Sequence, residues 1–277
     1  MAAKIGDLSL RQFPVFLRHI NRENFMEQLV NKIVLVTGAS SGIGSECAKI
    51  FNEHGARVIM MSRRVEAMQE IASGFIHKPL LLQCDVRNNN DVVRCIESIP
   101  DEWKNIDILV NNAGLSRGLS TVQDGLLSDW EEMIDTNVKG LLYVTKAVLP
   151  GMLKRNSGMI INIGSIAGRQ VYPNGNVYCA TKHGVKAISE ALQFDVNGTG
   201  VRVSNIDPGM VETEFSVVRF HGDKQRADNV YKGMTPLTGR DVAETVVFCA
   251  TRPPHVSIHD ILLMPTDQAS TQVVHRS

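Results

Sequence analysis

Tyr178 and Lys182 lie four positions apart, so on a helix both side chains face the same side. An unperturbed tyrosine has a pKa of about 10 and is mostly protonated at pH 7. A lysine charge roughly 4 Å away, at an effective dielectric constant of about 20, is worth about 4 kcal/mol, or about three pKa units. The spacing therefore predicts a tyrosine that exchanges protons near neutral pH, with a pKa lowered by Lys182. The alternative is a Tyr-Lys pair on a helix surface with no catalytic role. Without further support for a site, this alternative would be preferred.

Ser165 supplies such support, because it lies just past the fifth predicted strand. Ligands of parallel sheets bind at the carboxyl edge, where the strands end. The Ser165 hydroxyl could hold the oxygen of a substrate while Tyr178 exchanges its proton.

A glycine-rich turn follows the first predicted strand and runs directly into a helix, with the spacing G-x-x-x-G-x-G. Such a turn brings backbone N–H groups and the positive helix N-terminus close to a pyrophosphate. Glycines also serve tight turns that bind nothing, but the position between a first strand and a first helix favours dinucleotide binding. The predicted contacts are Gly38, Ser40, Ser41, Gly42, Ile43 and Gly44.

The second predicted strand ends where a fold that binds NAD carries an acidic residue, but this chain has Ser62, Arg63 and Arg64. A carboxylate would repel a 2′-phosphate, whereas an arginine can bond it bidentately. NADP is therefore the predicted cofactor, with two solvated arginines as the alternative. Asp85, after the third strand, could accept a hydrogen bond from the adenine amine or cap the next helix.

The elements that position these residues follow a repeated β-α pattern from residue 32 onward. Ser128 and Glu131 predict a capping box that opens a long helix, which Pro150 and Gly151 would close. No repeat or linker interrupts the series, so the fold class is α/β, a single doubly wound Rossmann-type domain over residues 32–277, with residues 1–31 as an amino-terminal extension. The predicted strands are 33–37, 57–61, 80–84, 106–110, 159–163, 201–206 and 258–263.

Composition excludes several classes of protein. The 277 residues carry 29 Lys+Arg and 29 Asp+Glu, which argues against a nucleic-acid partner. No charge-free stretch approaches the about 20 apolar residues of a membrane span. The five cysteines are scattered without a C-x-x-C pair, so neither disulfides nor a metal site is predicted, and a reducing, cytoplasmic location fits best.

The chain resembles the short-chain dehydrogenase/reductase family in the T-G-A-S-S-G-I-G turn at 37–44, N-N-A-G at 111–114, Y-C-A-T-K at 178–182 and Pro208-Gly209. The resemblance covers nearly everything after residue 31 and implies a seven-stranded parallel sheet. It implies a catalytic tetrad of Asn137, Ser165, Tyr178 and Lys182, in which Asn137 holds a water of a proton relay and Lys182 also binds the nicotinamide ribose. Further cofactor contacts that it implies are Val86, Asn112, Ala113, Gly114, Pro208, Gly209, Val211 and Thr213.

A closer resemblance is to the branch of NADP-dependent 3-hydroxy acid dehydrogenases, through the runs 162–169, 172–175, 212–220 and 264–269. It implies oxidation of serine, L-allo-threonine and related 3-hydroxy acids, and homotetramers packed through helices at 128–149 and 176–196. A substrate carboxylate needs a cation, for which Arg169 and Arg219 are the candidates; either could instead be structural. The alternatives are a 3-oxoacyl or xenobiotic carbonyl reductase, and a non-catalytic protein that senses NADP or acts as a scaffold.

Overall fold

The computed structural model describes residues 28–277, so most of the predicted extension, residues 1–27, lies outside the described residues. Seven parallel strands form one sheet in the order β3-β2-β1-β4-β5-β6-β7, which confirms the predicted fold class. Strand ends differ from the predicted ones by one or two residues, the usual uncertainty of such boundaries. The strands are β1 (Ile33–Thr37), β2 (Arg57–Ser62), β3 (Leu80–Gln83), β4 (Ile108–Asn111), β5 (Gly158–Ile163), β6 (Val201–Pro208) and β7 (Asp260–Leu263).

Helices cover both faces of the sheet, which is why the central strands are apolar along their whole length. In β1 every residue is buried. Val34 and Val36 pack with Phe51 on one face, whereas Leu35 packs with Val148 on the other. The helices are α1 (Gly42–Glu53), α2 (Val65–Ala72), α3 (Asn89–Glu97), α4 (Leu127–Ile134), α5 (Leu141–Arg155), α6 (Asn176–Asp195), α7 (Phe215–Arg219), α8 (Lys224–Asn229) and α9 (Gly239–Ala250).

The long helical segment that contains α4 and α5 differs from the prediction at both ends. Leu126 precedes α4 and no side chain caps it, so the predicted Ser128 capping box is wrong. Pro150 lies inside α5, which ends only at Asn156 in the left-handed conformation. Between α4 and α5 the chain forms a π-helix over Asp135–Gly140, a form that is frequent at functional sites.

The carboxyl ends of β1 and β4 meet where the strand order reverses, the place where doubly wound sheets bind ligands. Thr37 joins the two loops, because its Oγ1 accepts hydrogen bonds from the N–H groups of Asn112 and Ala113, both at 3.0 Å. Among residues 28–277, no helix is both long enough and apolar enough to cross a membrane.

Candidate active site

A cavity of about 360 Å³ lies at the carboxyl edge of the sheet, between the loops that follow β1 to β6. All residues predicted to bind a cofactor line it except Gly44. Three of the four predicted tetrad residues line it as well: Ser165, Tyr178 and Lys182. The cavity therefore brings together residues that are far apart in the chain.

The glycines of the turn after β1 let its backbone pack closely against the loop after β4. Gly38 and Gly42 have φ values of +66° and +54°, a region that favours glycine. A Cβ on Gly38 would lie 2.9 Å from the Cα of Ala113. Gly44 has a different role from the predicted one: a Cβ there would lie 2.4 Å from the Gly38 carbonyl oxygen, so Gly44 permits close packing beneath the turn.

The amino end of α1 is left open toward this cavity. Ser41 precedes the helix in an extended conformation, and its side chain makes no capping hydrogen bond. The first N–H groups of a helix lack intrahelical partners and carry positive partial charge. This end of α1 can therefore receive a phosphate.

Two arginines extend this positive region of the cavity. Arg64 donates to Ser41 Oγ (Nη2, 2.7 Å), to Ser40 Oγ (Nε, 3.2 Å) and to Glu214 Oε2 (3.1 Å). Arg63 is half exposed, and its Nη1 lies 3.8 Å from Glu132 Oε1. Both guanidinium groups can reach a phosphate with little desolvation.

Asp85 also lines the cavity and is held by Arg87, whose Nε donates to it at 2.9 Å. Burial alone would raise the pKa of Asp85, but the hydrogen bonds from Arg87 outweigh burial and lower it. Asn88 caps α3 with its own side chain, so the alternative in which Asp85 caps this helix is wrong.

The reactive end of the cavity is formed by Tyr178, Ser165 and Lys182. Tyr178 is buried, and Ser165 is one of the groups that act to lower its pKa. Lys182 Nζ donates to the carbonyl oxygen of Ile163 at 2.9 Å. Burial lowers the pKa of Lys182 to about 8, although Asp207 acts in the opposite direction.

The pKa of Tyr178 lies above its ordinary value, which differs from the expectation that Lys182 lowers it. Burial is the largest cause, because it disfavours the phenolate. Arg219 and Ser165 act in the opposite direction. The spacing indicated which residues come together, but it could not show how deeply the phenol is buried.

Asn137, the fourth tetrad residue, does not line the cavity. Its Oδ1 accepts from the Leu115 N–H at 2.8 Å, and its Nδ2 donates to the Leu115 carbonyl at 2.8 Å and to Thr181 Oγ1 at 3.0 Å. The side chain thus joins the π-helix to the loop after β4 and to α6. This loop needs Gly114, where a Cβ would lie 3.3 Å from Asn137 Oδ1 and 3.5 Å from Lys182 Nζ.

The structure separates the two arginines that were candidates for a substrate carboxylate. Neither Arg169 nor Arg219 is among the residues that line the cavity, and their ion pairing distinguishes them. Arg169 donates to Asp207 Oδ2 at 2.7 Å and forms an ion pair with Asp260. Its charge is therefore already neutralised by two carboxylates, and its role here is structural. Arg219 is next to Tyr178, with its guanidinium carbon 5.3 Å from the ring centroid. Its Nε is buried and has no hydrogen-bond partner within the described part of the chain.

Sequence reasoning missed part of the lining. Thr136 precedes Asn137 and lines the cavity. Its Oγ1 is buried and has no hydrogen-bond partner among the residues that the structure describes. Its position beside a predicted site residue was the only available signal, because the π-helix that turns it inward has no sequence signature. The other residues missed are Met61, Cys84, Leu115, Arg117, Ile163, Gly164, Glu214, Phe215 and Val218.

Comparisons with known proteins agree with this geometry. The NADP-dependent 3-hydroxy acid dehydrogenase YdfG of Salmonella typhi is 49% identical over 247 residues, which is 88% of this chain and all of that protein. Sulfoacetaldehyde reductase 2 of Chromohalobacter salexigens is 42% identical over 246 residues, 87% of this chain and 96% of that protein. The closed form of serine dehydrogenase complexed with NADP⁺ has a TM-score of 0.85 at 48% identity, covering 88% of this chain and all of that one.

The sequence profile described as short chain dehydrogenase matches residues 32–223, which include β1 to β6, the glycine-rich turn and the Tyr178-Lys182 pair. With this match and the identities above, the chain belongs to the short-chain dehydrogenase family.

Proposed function

We propose that this protein is an NADP-dependent oxidoreductase that interconverts short 3-hydroxy acids, of the serine, L-allo-threonine and 3-hydroxypropionate type, with their 3-oxo acids. The observation that carries the proposal is the buried Tyr178, which lines the cavity together with Ser165 and Lys182 and has the Arg219 cation 5.3 Å from its ring centroid, at one end of a cavity that carries phosphate-binding features at the other. The 49% identity to a 3-hydroxy acid dehydrogenase supports the same substrate class.

The residues present fit NADP. The cradle at Gly38, which a Cβ would fill, and the uncapped start of α1 suit a pyrophosphate, and Arg63 and Arg64 suit a 2′-phosphate. Asp85 and Val86 would contact the adenine. When bound, NADP accepts a hydride from the alcohol or, as NADPH, donates one to the ketone.

The remaining chemistry is proton transfer, and the chain supplies the groups for it. In the oxidation, Tyr178 accepts the hydroxyl proton while Ser165 holds the substrate oxygen. Lys182 would add positive charge near the nicotinamide ribose, with its ammonium fixed by the Ile163 carbonyl. Asn137 holds the loop after β4 against α6 and would contribute to the proton relay as the family resemblance implies.

Arg219 is the residue that we assign to the substrate carboxylate. Its buried Nε–H has no partner among residues 28–277, and a buried donor without a hydrogen bond costs about 1–3 kcal/mol. A carboxylate would satisfy that donor and neutralise the charge. The ion pairs of Arg169 with Asp207 and Asp260 support Arg219 over Arg169 for this role.

The test compares 3-hydroxypropionate with its methyl ester as reductants of NADP. The ester keeps the 3-hydroxyl group and lacks the charge, so we expect the acid to have the higher kcat/KM by roughly tenfold or more, since hydrogen bonds to charged groups are worth about 1.5–3 kcal/mol. Equal values would favour the alternative of a 3-oxoacyl or xenobiotic carbonyl reductase. No turnover of any hydroxy acid or carbonyl compound would favour a protein that senses NADP or acts as a scaffold.

A second candidate is a reductase of short aldehydes that carry a sulfonate. The 42% identical sulfoacetaldehyde reductase 2 favours it, and a sulfonate would satisfy Arg219 as a carboxylate does. NADPH oxidation by sulfoacetaldehyde, measured beside that by a 3-oxo acid, separates the two candidates.

We further propose that residues 32–277 form one NADP-binding dehydrogenase domain, with residues 1–31 as an extension, and that the protein is a cytoplasmic homotetramer. Apolar side chains exposed along the helices that the family uses for assembly support the tetramer: Leu127, Ile134, Leu142, Leu153 and Phe194. A native mass of four times the 30.5 kDa chain, measured by light scattering, tests this assembly.

A further inference from the structure

The Arg219 guanidinium lies among three aromatic rings. Its central carbon is 5.3 Å from the ring centroid of Tyr178, 4.9 Å from that of Phe215 and 5.9 Å from that of Tyr172. Nη2 donates to the hydroxyl of Tyr172 at 3.1 Å. Tyr178 itself is buried, and a cation near a desolvated phenol acts on it more strongly than in water.

Several other charged or titratable groups surround Tyr178. Asp207 reaches it from β6 and Cys179 from its own helix, and both raise its pKa together with burial, which is the largest cause. Arg219 is the foremost group that lowers the pKa of Tyr178, ahead of Ser165. Tyr172 lies in the loop before α6, where burial raises the pKa of its own phenol, so it stays neutral.

Lys182 is a further titratable group on α6, the helix that contains Tyr178. Burial lowers its pKa to about 8, so above that pH a growing fraction of the side chain is uncharged. At the pH at which a buried phenol ionises, the guanidinium of Arg219 therefore keeps a full charge while the lysine does not.

We infer that Arg219 stabilises the phenolate of Tyr178 as well as binding the substrate carboxylate, so that one arginine is both a substrate contact and a positioning residue for the acid/base. The inference rests on the proposed function, because it concerns the same site. In the oxidation the phenolate takes the hydroxyl proton, and the cation beside it favours the form that can do so. The substrate carboxylate would then bind Arg219, the same residue that stabilises the phenolate of Tyr178.

The test is the pH profile of kcat/KM for oxidation of 3-hydroxypropionate and of its methyl ester at saturating NADP. In Arg219→Gln the rising limb should move to higher pH by about one to two units with both substrates. Arg219→Met, which keeps an apolar stem against the rings, serves as a second neutral variant if the first does not fold. Arg219→Lys should keep the limb within about half a unit of the wild-type position.

A limb that stays at its wild-type pH in both neutral variants, with only the KM of the acid increased, would overturn the inference. Arg226→Gln is the matched control, since Arg226 also lies over an aromatic ring, that of Phe220 at 4.2 Å, but is not among the groups that shift the pKa of Tyr178. In that control the rising limb should stay at its wild-type pH with both substrates. A shift as large as that of Arg219→Gln would overturn the inference.

A second readout does not depend on turnover. The phenolate absorbance of Tyr178 is obtained by subtracting the absorbance of the Tyr178→Phe variant, made once in the wild-type background and once in the Arg219→Gln background. This absorbance should appear at higher pH in Arg219→Gln than in the wild type. If the acid and the ester are equal substrates, the proposed function fails while this titration still decides the role of Arg219. An unchanged titration would contradict that role even if the acid is strongly preferred.

Discussion

At the residue scale, the role of each arginine near the site depends on whether its charge is already paired with a carboxylate of the protein. The sequence predicted Ser165, Tyr178 and Lys182 together, because their types and spacing carry the chemistry, and the structure brings them to one cavity. It could not separate Arg169 from Arg219, since ion pairing with Asp207 and Asp260 arises only when β6 and β7 lie side by side. The raised pKa of Tyr178 was equally hidden, because burial is a property of the folded chain.

Arg63→Asp tests the cofactor preference. We expect the affinity for NADPH to fall by about tenfold or more, because a carboxylate repels the 2′-phosphate. The difference between the affinities for NADPH and NADH should therefore become smaller. Fluorescence titration with both nucleotides measures this. Arg57→Asp, at a residue that stacks on Trp103 and does not line the cavity, is the control. An NADPH preference that survives Arg63→Asp would place the phosphate site elsewhere.

Lys182 makes stability depend on pH in a defined direction. Its pKa in the folded protein, about 8, lies below the ordinary value of 10.5, so between these values the unfolded chain binds more protons. The free energy of unfolding should therefore rise from pH 8 toward pH 10, by up to about 3 kcal/mol. Urea unfolding across this range measures it, and Lys182→Met should flatten the rise. An equal rise in Lys182→Met would show that other groups cause it.

At the element scale, hydrophobic periodicity predicted the strands well, because each buried strand must be apolar on both faces. The local sequence signals for the start and the end of the long helical segment gave wrong predictions. The Ser128 capping box was overridden because the helix starts earlier, at Leu127, and Pro150 is accommodated inside α5. The π-helix that holds Asn137 has no local signature and depends on packing against the loop after β4.

Gly44→Ala tests the packing of α1 beneath the glycine-rich turn. The new Cβ would lie 2.3 Å from Asn112 Nδ2 and 2.4 Å from the Gly38 carbonyl oxygen, so we expect a loss of about 1–3 kcal/mol in the free energy of unfolding, together with weaker NADPH binding. Gly184→Ala in α6 is the control: its Cβ meets only Val138, at 3.8 Å, and a helical alanine should stabilise by about 0.5–1 kcal/mol. Urea unfolding of both variants is the measurement, and equal effects would contradict this packing role.

At the scale of the whole molecule, the sheet supplies a rigid edge and the loops supply the chemistry. The strand order brings residues from β1, β4, β5 and β6 to one cavity, which sequence reasoning anticipated through the parallel topology. What it could not distinguish is an apolar face that packs inside one chain from one that packs between chains. Phe194 illustrates this: it fits the predicted helix but is 82% exposed.

Phe194→Ser tests whether that exposure belongs to an interface. We expect it to lower the native mass measured by light scattering at low protein concentration, because an interface loses apolar area, while far-ultraviolet circular dichroism stays unchanged. Ile76→Ser is the control, since Ile76 is 71% exposed and lies between α2 and β3. An unchanged mass in Phe194→Ser would place the interface elsewhere.

The central claim is that Tyr178 is the acid/base of an NADP-dependent oxidation of 3-hydroxy acids. The most direct test is the single-turnover rate of NADP reduction by 3-hydroxypropionate in the wild type and in Tyr178→Phe, with NADPH affinity measured in parallel. We predict a rate lower by about 10²-fold or more with NADPH affinity within about threefold, because a general base contributes about 10²–10⁴-fold. A Tyr178→Phe variant that reduces NADP at the wild-type rate would contradict the claim.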